Sequence, residues 1–369
     1  MIVPFYSLQN TNGILQQKLI EAFQKVLQSN SLILGENVEA FQEEFSKFTE
    51  TKYTIGVSSG LDALKIALKS VGIKKGDEVL VPSNTYIASW LAVSLVGAIP
   101  VPVEPEEDTY NINIDEVQAK ITSKTKAILP VHMYGNPCEM DKIMELAKQY
   151  KLFVIEDFAQ AQGAKYKKKA IGSWGHINAT SFYPSKNLGA LGDAGAICTN
   201  DKELFKKCCL LRNYGSSKKY YNELIGYNNR LDEIQATFLN VKLQHLDKWN
   251  NERRELAEFY INKLQHIHDI KLPVSKSESY HVYHLFVIKT TQRNKLQAHL
   301  RKKGVHTLIH YPVPPHLQKA YNKMGYQKGG LPIAEKLAQN LLSLPLYNGM
   351  TEKEQTYVCD QIHNFFTSI

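Results

Sequence analysis

The chain of 369 residues is 43% hydrophobic and 22% charged, with 44 Lys+Arg against 36 Asp+Glu and a formal net charge of +8. This is the composition of an ordinary globular protein, and it excludes a disordered chain or a small disulfide scaffold. At roughly 100–200 residues per domain, the length predicts two domains or one large domain with an appendage.

The opening MIVPFYSLQN lacks the basic start and continuous apolar run of a signal peptide. The longest apolar stretch, 90–103, is short for a membrane span and is broken by Pro100 and Pro102. A cytoplasmic location with no membrane partner is expected. From about residue 53 to 200, short apolar runs alternate with longer amphipathic ones, the rhythm of βαβ units in a largely parallel sheet. Strands are predicted at 53–57, 78–82, 99–103, 126–131, 152–157, 179–183 and 195–199, with helices at 61–71 and 140–150. The proline-free stretch 231–264 is helical in period and predicts one long helix leading out of the large domain. The tail predicts a smaller α+β unit, with a strand at 284–289, a helix at 294–304 and an extended loop over 310–315, where three prolines sit. The expected organisation is α/β, with a large domain over 1–245 and a smaller C-terminal α+β domain over 246–369.

The densest basic clusters, 165–169 and Lys218 with Lys219, are too short for a nucleic-acid-binding tail, and no nucleic-acid partner is expected. A mildly basic cleft favours an anionic small substrate. The five cysteines include no C-x-x-C pair and read as reduced core thiols.

Four segments of the large domain carry residues suited to chemistry. In VSSGLDALKIAL (57–68) a strand runs through Ser-Ser-Gly into a helix, where first-turn N–H groups favour a phosphate. Alone, this is equally a helix capped by Ser59. LFVIEDFAQAQGA (152–164) ends an apolar strand on Glu156 and Asp157, at the edge where ligands bind in open α/β sheets, although an Asp capping the next turn has the same signature. SFYPSKNLGALGDAGA (181–196) places Lys186 in a turn-rich stretch, where a desolvated amine becomes a nucleophile toward carbonyls; most lysines are simply solvated. GYNNRLDEIQA (226–236) sets Asn228, Asn229 and Arg230 before a helix, which a capped helix start also explains.

In this order the four segments resemble the sugar aminotransferases of the DegT/DnrJ/EryC1/StrS family, fold-type I enzymes that use pyridoxal 5′-phosphate (PLP). The resemblance runs from about Pro4 to the C-terminal helix. It implies that Lys186 is the Schiff-base lysine and proton shuttle, and that Asp157 pairs with the pyridine nitrogen, keeping the ring able to accept carbanion electrons. It further implies that Gln160 meets the ring hydroxyl, Tyr86 stacks on the ring, and Gly60, Leu61 and Ser181 hold the phosphate. Asn228 would reach that phosphate from the neighbouring subunit, which implies a homodimer with shared sites. Phe158 and Gln162 depart from the family pattern, standing where a small residue and His are usual.

The stretches 212–243 and 307–321 look most like members that aminate C3 of a dTDP-linked 3-keto-6-deoxyhexose with L-glutamate as donor. The implied substrate contacts are Tyr183, Lys219, Tyr221, Arg230, His310 and Tyr311, a set of cations and donors suited to a nucleotide diphosphate. The alternatives are a 4-keto sugar aminotransferase, a dehydratase, which the lysine disfavours, or a regulatory PLP protein. His306 and His310 lie at i, i+4 without an accompanying Glu, and Pro312 opposes a helix, so packing or substrate contact is preferred and no metal is expected.

Overall fold

The computed structural model describes residues 1–367. Its main sheet has seven strands: β1 (Tyr53–Val57), β2 (Glu78–Pro82), β3 (Ile99–Val103), β4 (Thr125–Ile128), β5 (Phe153–Asp157), β6 (Ile177–Ser181) and β7 (Gly195–Thr199). Their spatial order is β1-β7-β6-β5-β4-β2-β3. Only β7 is antiparallel to its neighbours, so six strands share one direction. The C-terminal ends of β1, β2, β5 and β6 therefore open on the same edge, the place where an open α/β sheet leaves room for a ligand.

Helices cover both faces, as a parallel sheet requires. Side chains alternate along each strand: Val79 and Val81 of β2 enter one core while Leu80 enters the other, and Ile155 and Val154 of β5 divide the same way. One core takes in α3 (Gly60–Ser70) and α4 (Ile87–Leu95), where Ile66, Leu68 and Trp90 are fully buried. The other packs α2 (Glu36–Phe48) and α5 (Met140–Tyr150) around an aromatic cluster of Phe41, Phe45 and Phe182.

A third core belongs to the C-terminal unit. There β8 (Phe286–Lys289) pairs antiparallel with β9 (Leu341–Leu344), against α9 (Arg293–Lys302) and α11 (Glu352–Thr367), which follows α10 (Pro332–Asn340). Val3 is buried in this core and bridges to Val305, so the start of the chain returns to its end. Across the boundary, Glu104 after β3 accepts the N–H groups of Ile333 (2.7 Å) and Ala334 (3.0 Å) in the first turn of α10. The carboxylate thereby satisfies donors that a helix leaves free. Among the described residues no helix is long and apolar enough to cross a membrane.

Several elements lie within two residues of expectation, such as the strand read at 179–183, which runs Ile177–Ser181; two differ by more. The strand read at 126–131 stops at Ile128, because Pro130 has no N–H to donate and only Val131 bridges again to Asp157. The helix read over 231–264 is two, α7 (Glu233–Leu243) and α8 (Leu246–Leu264), with a turn closed by His245 N–H to Lys242 O. No proline or glycine marks this break; α7 packs on α2 while α8 runs on into the third core. Glu233, fully buried on α7, caps α2 by accepting from the N–H groups of Gly35 (2.7 Å), Asn37 (3.1 Å) and Val38 (3.0 Å). Replacing it with Ala leaves those donors buried without acceptors, and is expected to destabilise the protein by about 3 kcal/mol, read as a lower urea midpoint.

Candidate active site

Asp157 lies at the C-terminal end of β5 with its backbone gripped from both sides: its N–H donates to Pro130 O and its O accepts from His132 N–H. Its carboxylate is buried and accepts two hydrogen bonds, from the Ser89 hydroxyl (2.9 Å) and from Ala159 N–H (3.2 Å). Burial raises its pKa, and the bonds from Ala159 and Ser89 and the charge of Lys186 oppose that rise. Ser89 donates to Asp157, so it accepts from Thr85 (3.1 Å), and an oriented hydroxyl pair backs the carboxylate.

The neighbouring Glu156 points elsewhere. It accepts from Gly172 (2.9 Å), Trp174 (2.7 Å) and Gly175 (2.8 Å) N–H groups and from His132 Nε2 (3.1 Å). Cys138 N–H donates to His132 Nδ1, which leaves Nε2 as the nitrogen that carries the proton. Glu156 is thus a fastener of the loop after β5, and Asp157 alone faces the strand-end edge.

Lys186 sits in the loop joining β6 to the reversed β7. The loop is shaped by Lys186 N–H to Tyr183 O and Ala190 N–H to Phe182 O. A Cβ at Gly189 would lie 2.2 Å from Pro184 O, so this tight turn admits only glycine. Asn187 anchors the loop through Asn250 (2.8 Å) and Val282 O (3.1 Å), and Lys242 reaches Gly189 O (2.7 Å). Burial lowers the Lys186 amine to about 8, and the Asp157 carboxylate pulls it part of the way back. The two groups are therefore coupled across the strand ends, and the amine is neutral in a useful fraction near neutral pH.

At the end of β1, Ser59 caps α3 by accepting from Asp62 N–H (3.1 Å), leaving the first-turn N–H groups of Gly60 and Leu61 without intrahelical acceptors. A Cβ on Gly60 would lie 2.5 Å from Ser181 Cβ, and one on Gly195 2.5 Å from the Ser59 carbonyl. This close approach sets a helix N-terminus against the Ser181 hydroxyl, a cradle of the kind that suits a phosphate. The residues present thus fit a phosphorylated pyridine cofactor, with anion donors at one end, a buried carboxylate at the other and an amine between.

Gln160 accepts Tyr134 N–H (2.6 Å) and donates to the Tyr311 hydroxyl (3.1 Å). The Tyr311 ring lies 5.3 Å from that of Tyr86, whose 54% exposure leaves its face open. His310 meets Ser343 Oγ (2.8 Å), and burial lowers it to about 4, so it is neutral. Tyr183 and His310 line a cavity beside Lys186; among the described residues lining it, Lys219, Tyr221 and Arg230 do not appear. Tyr221 lies on an exposed hairpin with Lys219 beside it, and Arg230 bonds Asn213 (3.2 Å). Asn228 is exposed, and its neighbour Asn229 is the one that reaches this chain's own α3, through Ser58 (3.1 Å) and Lys65 (3.0 Å). His306 N–H bonds Val3 O, and among the described residues no group of three His, Cys, Asp or Glu is placed to hold a metal.

Sequence reasoning missed Ser89, Tyr134, Asn187 and Lys242. Each acts through a partner between 26 and 95 residues away, and nothing local distinguishes it.

Residues 14–363 match the model of the DegT/DnrJ/EryC1/StrS aminotransferase family. The chain is 47% identical over 366 residues to dTDP-3-amino-3,6-dideoxy-alpha-D-galactopyranose transaminase of Aneurinibacillus thermoaerophilus, covering 99% of each. It is 46% identical over 363 residues to dTDP-3-amino-3,4,6-trideoxy-alpha-D-glucose transaminase of Streptomyces venezuelae, covering 98% of this chain and 96% of the relative. The crystal structure of S. venezuelae DesV in complex with a ketimine intermediate superposes with a TM-score of 0.98 at 45% identity, over 100% of this chain and 99% of that one.

An amine lowered from 10.5 to about 8 by folding penalises the folded state fully below pH 8, and the penalty is relieved as pH rises toward 10.5. In the cofactor-free protein, the urea midpoint is therefore expected to gain more between pH 8 and 10 with Lys186 present than in Lys186→Met. Parallel pH profiles for the two proteins would mean that Lys186 titrates normally.

Proposed function

The chain belongs to the DegT/DnrJ/EryC1/StrS aminotransferase family, and from that premise we propose that it moves the amino group of L-glutamate to C3 of a dTDP-3-keto-6-deoxyhexose, with Lys186 and Asp157 as its catalytic pair. Bound PLP supplies a carbonyl that stores the amino group between the two halves of the exchange and a ring that accepts the electrons released at the substrate carbon.

The observation that carries the proposal is the coupled pair itself: an amine held near pH 8 beside a buried carboxylate kept ionisable by Ser89 and Ala159. In its neutral form Lys186 removes the proton from the α-carbon of L-glutamate, and in the second half it handles the proton at C3 of the sugar. Asp157 holds the ring nitrogen protonated. Gln160, fixed by Tyr134 N–H, presents its amide to the ring hydroxyl, and Gly60, Leu61 and Ser181 hold the phosphate. Tyr86 covers the ring face, and Tyr183, His310 and Tyr311 meet the sugar. The C3 position is supported by the two relatives that act on 3-amino dTDP-sugars.

The same reading makes the protein a homodimer in which Asn228, Lys219, Tyr221 and Arg230 serve the partner's site. Supporting it, Tyr220 (85% exposed) and Ile225 (91% exposed) place large apolar surface beside these residues, which is costly unless covered.

L-Glutamate alone is expected to convert the visible absorption of the PLP-loaded protein to that of the amine-bearing cofactor. Lys186→Ala is expected to lose at least about a thousandfold in turnover while still binding PLP through its phosphate. Retained turnover in that variant overturns the role given to Lys186. Product analysis with 3-keto against 4-keto dTDP-sugars tests the position of the amine. Light scattering is expected to give twice the mass of one chain.

A further inference from the structure

Beside Lys186 lies a cavity of about 240 Å³, bounded by the Lys186 loop, by the segment 5–8 returning from the start of the chain and by residues 346–348 before α11. It is smaller than the ~300–1,000 Å³ pockets that enclose drug-sized ligands, so it suits an amino acid or a single sugar ring and not a whole nucleotide sugar. Its wall contains Lys186, Lys242 and Arg253, and no Asp or Glu.

One of these cations, Lys242, is buried without a counter-charge, whereas the Glu252 carboxylate partly offsets the charge of Arg253. Lys242 is 2% exposed, and the one hydrogen bond of its ammonium goes to Gly189 O (2.7 Å). Among the described residues no carboxylate lies within ion-pair distance of it, and burial alone lowers its pKa to about 8. An ammonium carries three N–H donors, so two remain for a ligand. Arg253 spends its guanidinium on neutral oxygens, those of Tyr283 (2.9 Å), His284 (2.7 Å), Leu346 (3.0 Å) and Asn348 (3.4 Å). A buried cation is expensive unless something of opposite sign completes it, and here the wall leaves that completion to whatever enters.

We infer that this cavity is the subsite that seats a carboxylate of the amino donor, with Lys242 as its direct ligand and Arg253 contributing charge from behind. The inference rests on the aminotransferase reading above and adds to it the place where a dicarboxylic amino acid is distinguished from a neutral one. It also gives segment 5–8 a role: with Phe5 against His310 (5.8 Å between rings), it closes the outer wall.

Glutarate, an unreactive dicarboxylate, is the probe, with calorimetric binding to the PLP-loaded protein and to Lys242→Met, Lys242→Arg, Ser7→Asp and Ser7→Asn. Binding is expected to weaken at least tenfold in Lys242→Met and Ser7→Asp, and to stay within about threefold in Lys242→Arg and Ser7→Asn. In single turnovers, Lys242→Met should raise the half-saturating L-glutamate at least tenfold more than it raises the half-saturating keto sugar, since loss of the Gly189 contact alone weakens both halves alike. A merely structural Lys242 would disturb the Lys186 loop and impair both halves. The two Ser7 variants carry the test if Lys242→Met does not fold. Unchanged glutarate binding in Lys242→Met or Ser7→Asp overturns the subsite, as does equal impairment of both halves, even where the wild type transaminates normally. Glutarate binding that follows the expected order, with no spectral response to L-glutamate, overturns the aminotransferase reading and keeps the anion site.

Discussion

Asp157 is withdrawn from water at the end of a parallel strand, and a carboxylate in that position must be compensated or it takes up a proton. Three groups supply the compensation: the Ser89 hydroxyl, the Ala159 N–H and the charge of Lys186. The first two belong to the frame of the large domain and are fixed. The third is the amine that has to change its protonation state during the proposed exchange, so the charge that opposes the rise in the Asp157 pKa is the same one that Lys186 gives up. Moving either group alters both.

That coupling demands a rigid geometry, and close backbone approach provides it. Gly60 against Ser181 and Gly195 against Ser59 bring the ends of β1, β6 and β7 within distances that any side chain would prevent. Glu156, one residue before Asp157, is spent entirely on Gly172, Trp174, Gly175 and His132, which fixes the segment that must not move. Two adjacent carboxylates thus divide the work, one bonded on all sides within the frame and one facing the cleft with bonding capacity in reserve.

Much of this was legible in the sequence. The strands at 53–57, 78–82, 99–103 and 195–199 were read to the residue, since each is a short apolar run bounded by turn residues. Lys186 and Asp157 stand out in the sequence only through the resemblance that the ordered set with Ser59-Gly60 and Asn228 carries, each piece being weak alone. What escaped has a common cause. Ser89 sits in an apolar helix and looks like any small residue until Asp157 arrives from 68 positions away. Lys242 reads as a solvated helix lysine, and its burial follows from the fold around it. The break at 244–245 carries no proline or glycine, because tertiary packing on either side imposes it over local propensity.

The missed break and the missed residues belong to one feature. Lys242 at the end of α7 and Asn250 near the start of α8 flank the turn, and both reach the loop that carries Lys186, through Gly189 O and Asn187. Asn187 also meets His284 (3.2 Å) and Val282 O, from the segment leading into β8. The loop is therefore held by the large domain through α7 and by the chain entering the C-terminal unit. The turn at 244–245, invisible to periodicity, separates Lys242 from Asn250, and both reach the loop that carries Lys186, from the two sides of that turn.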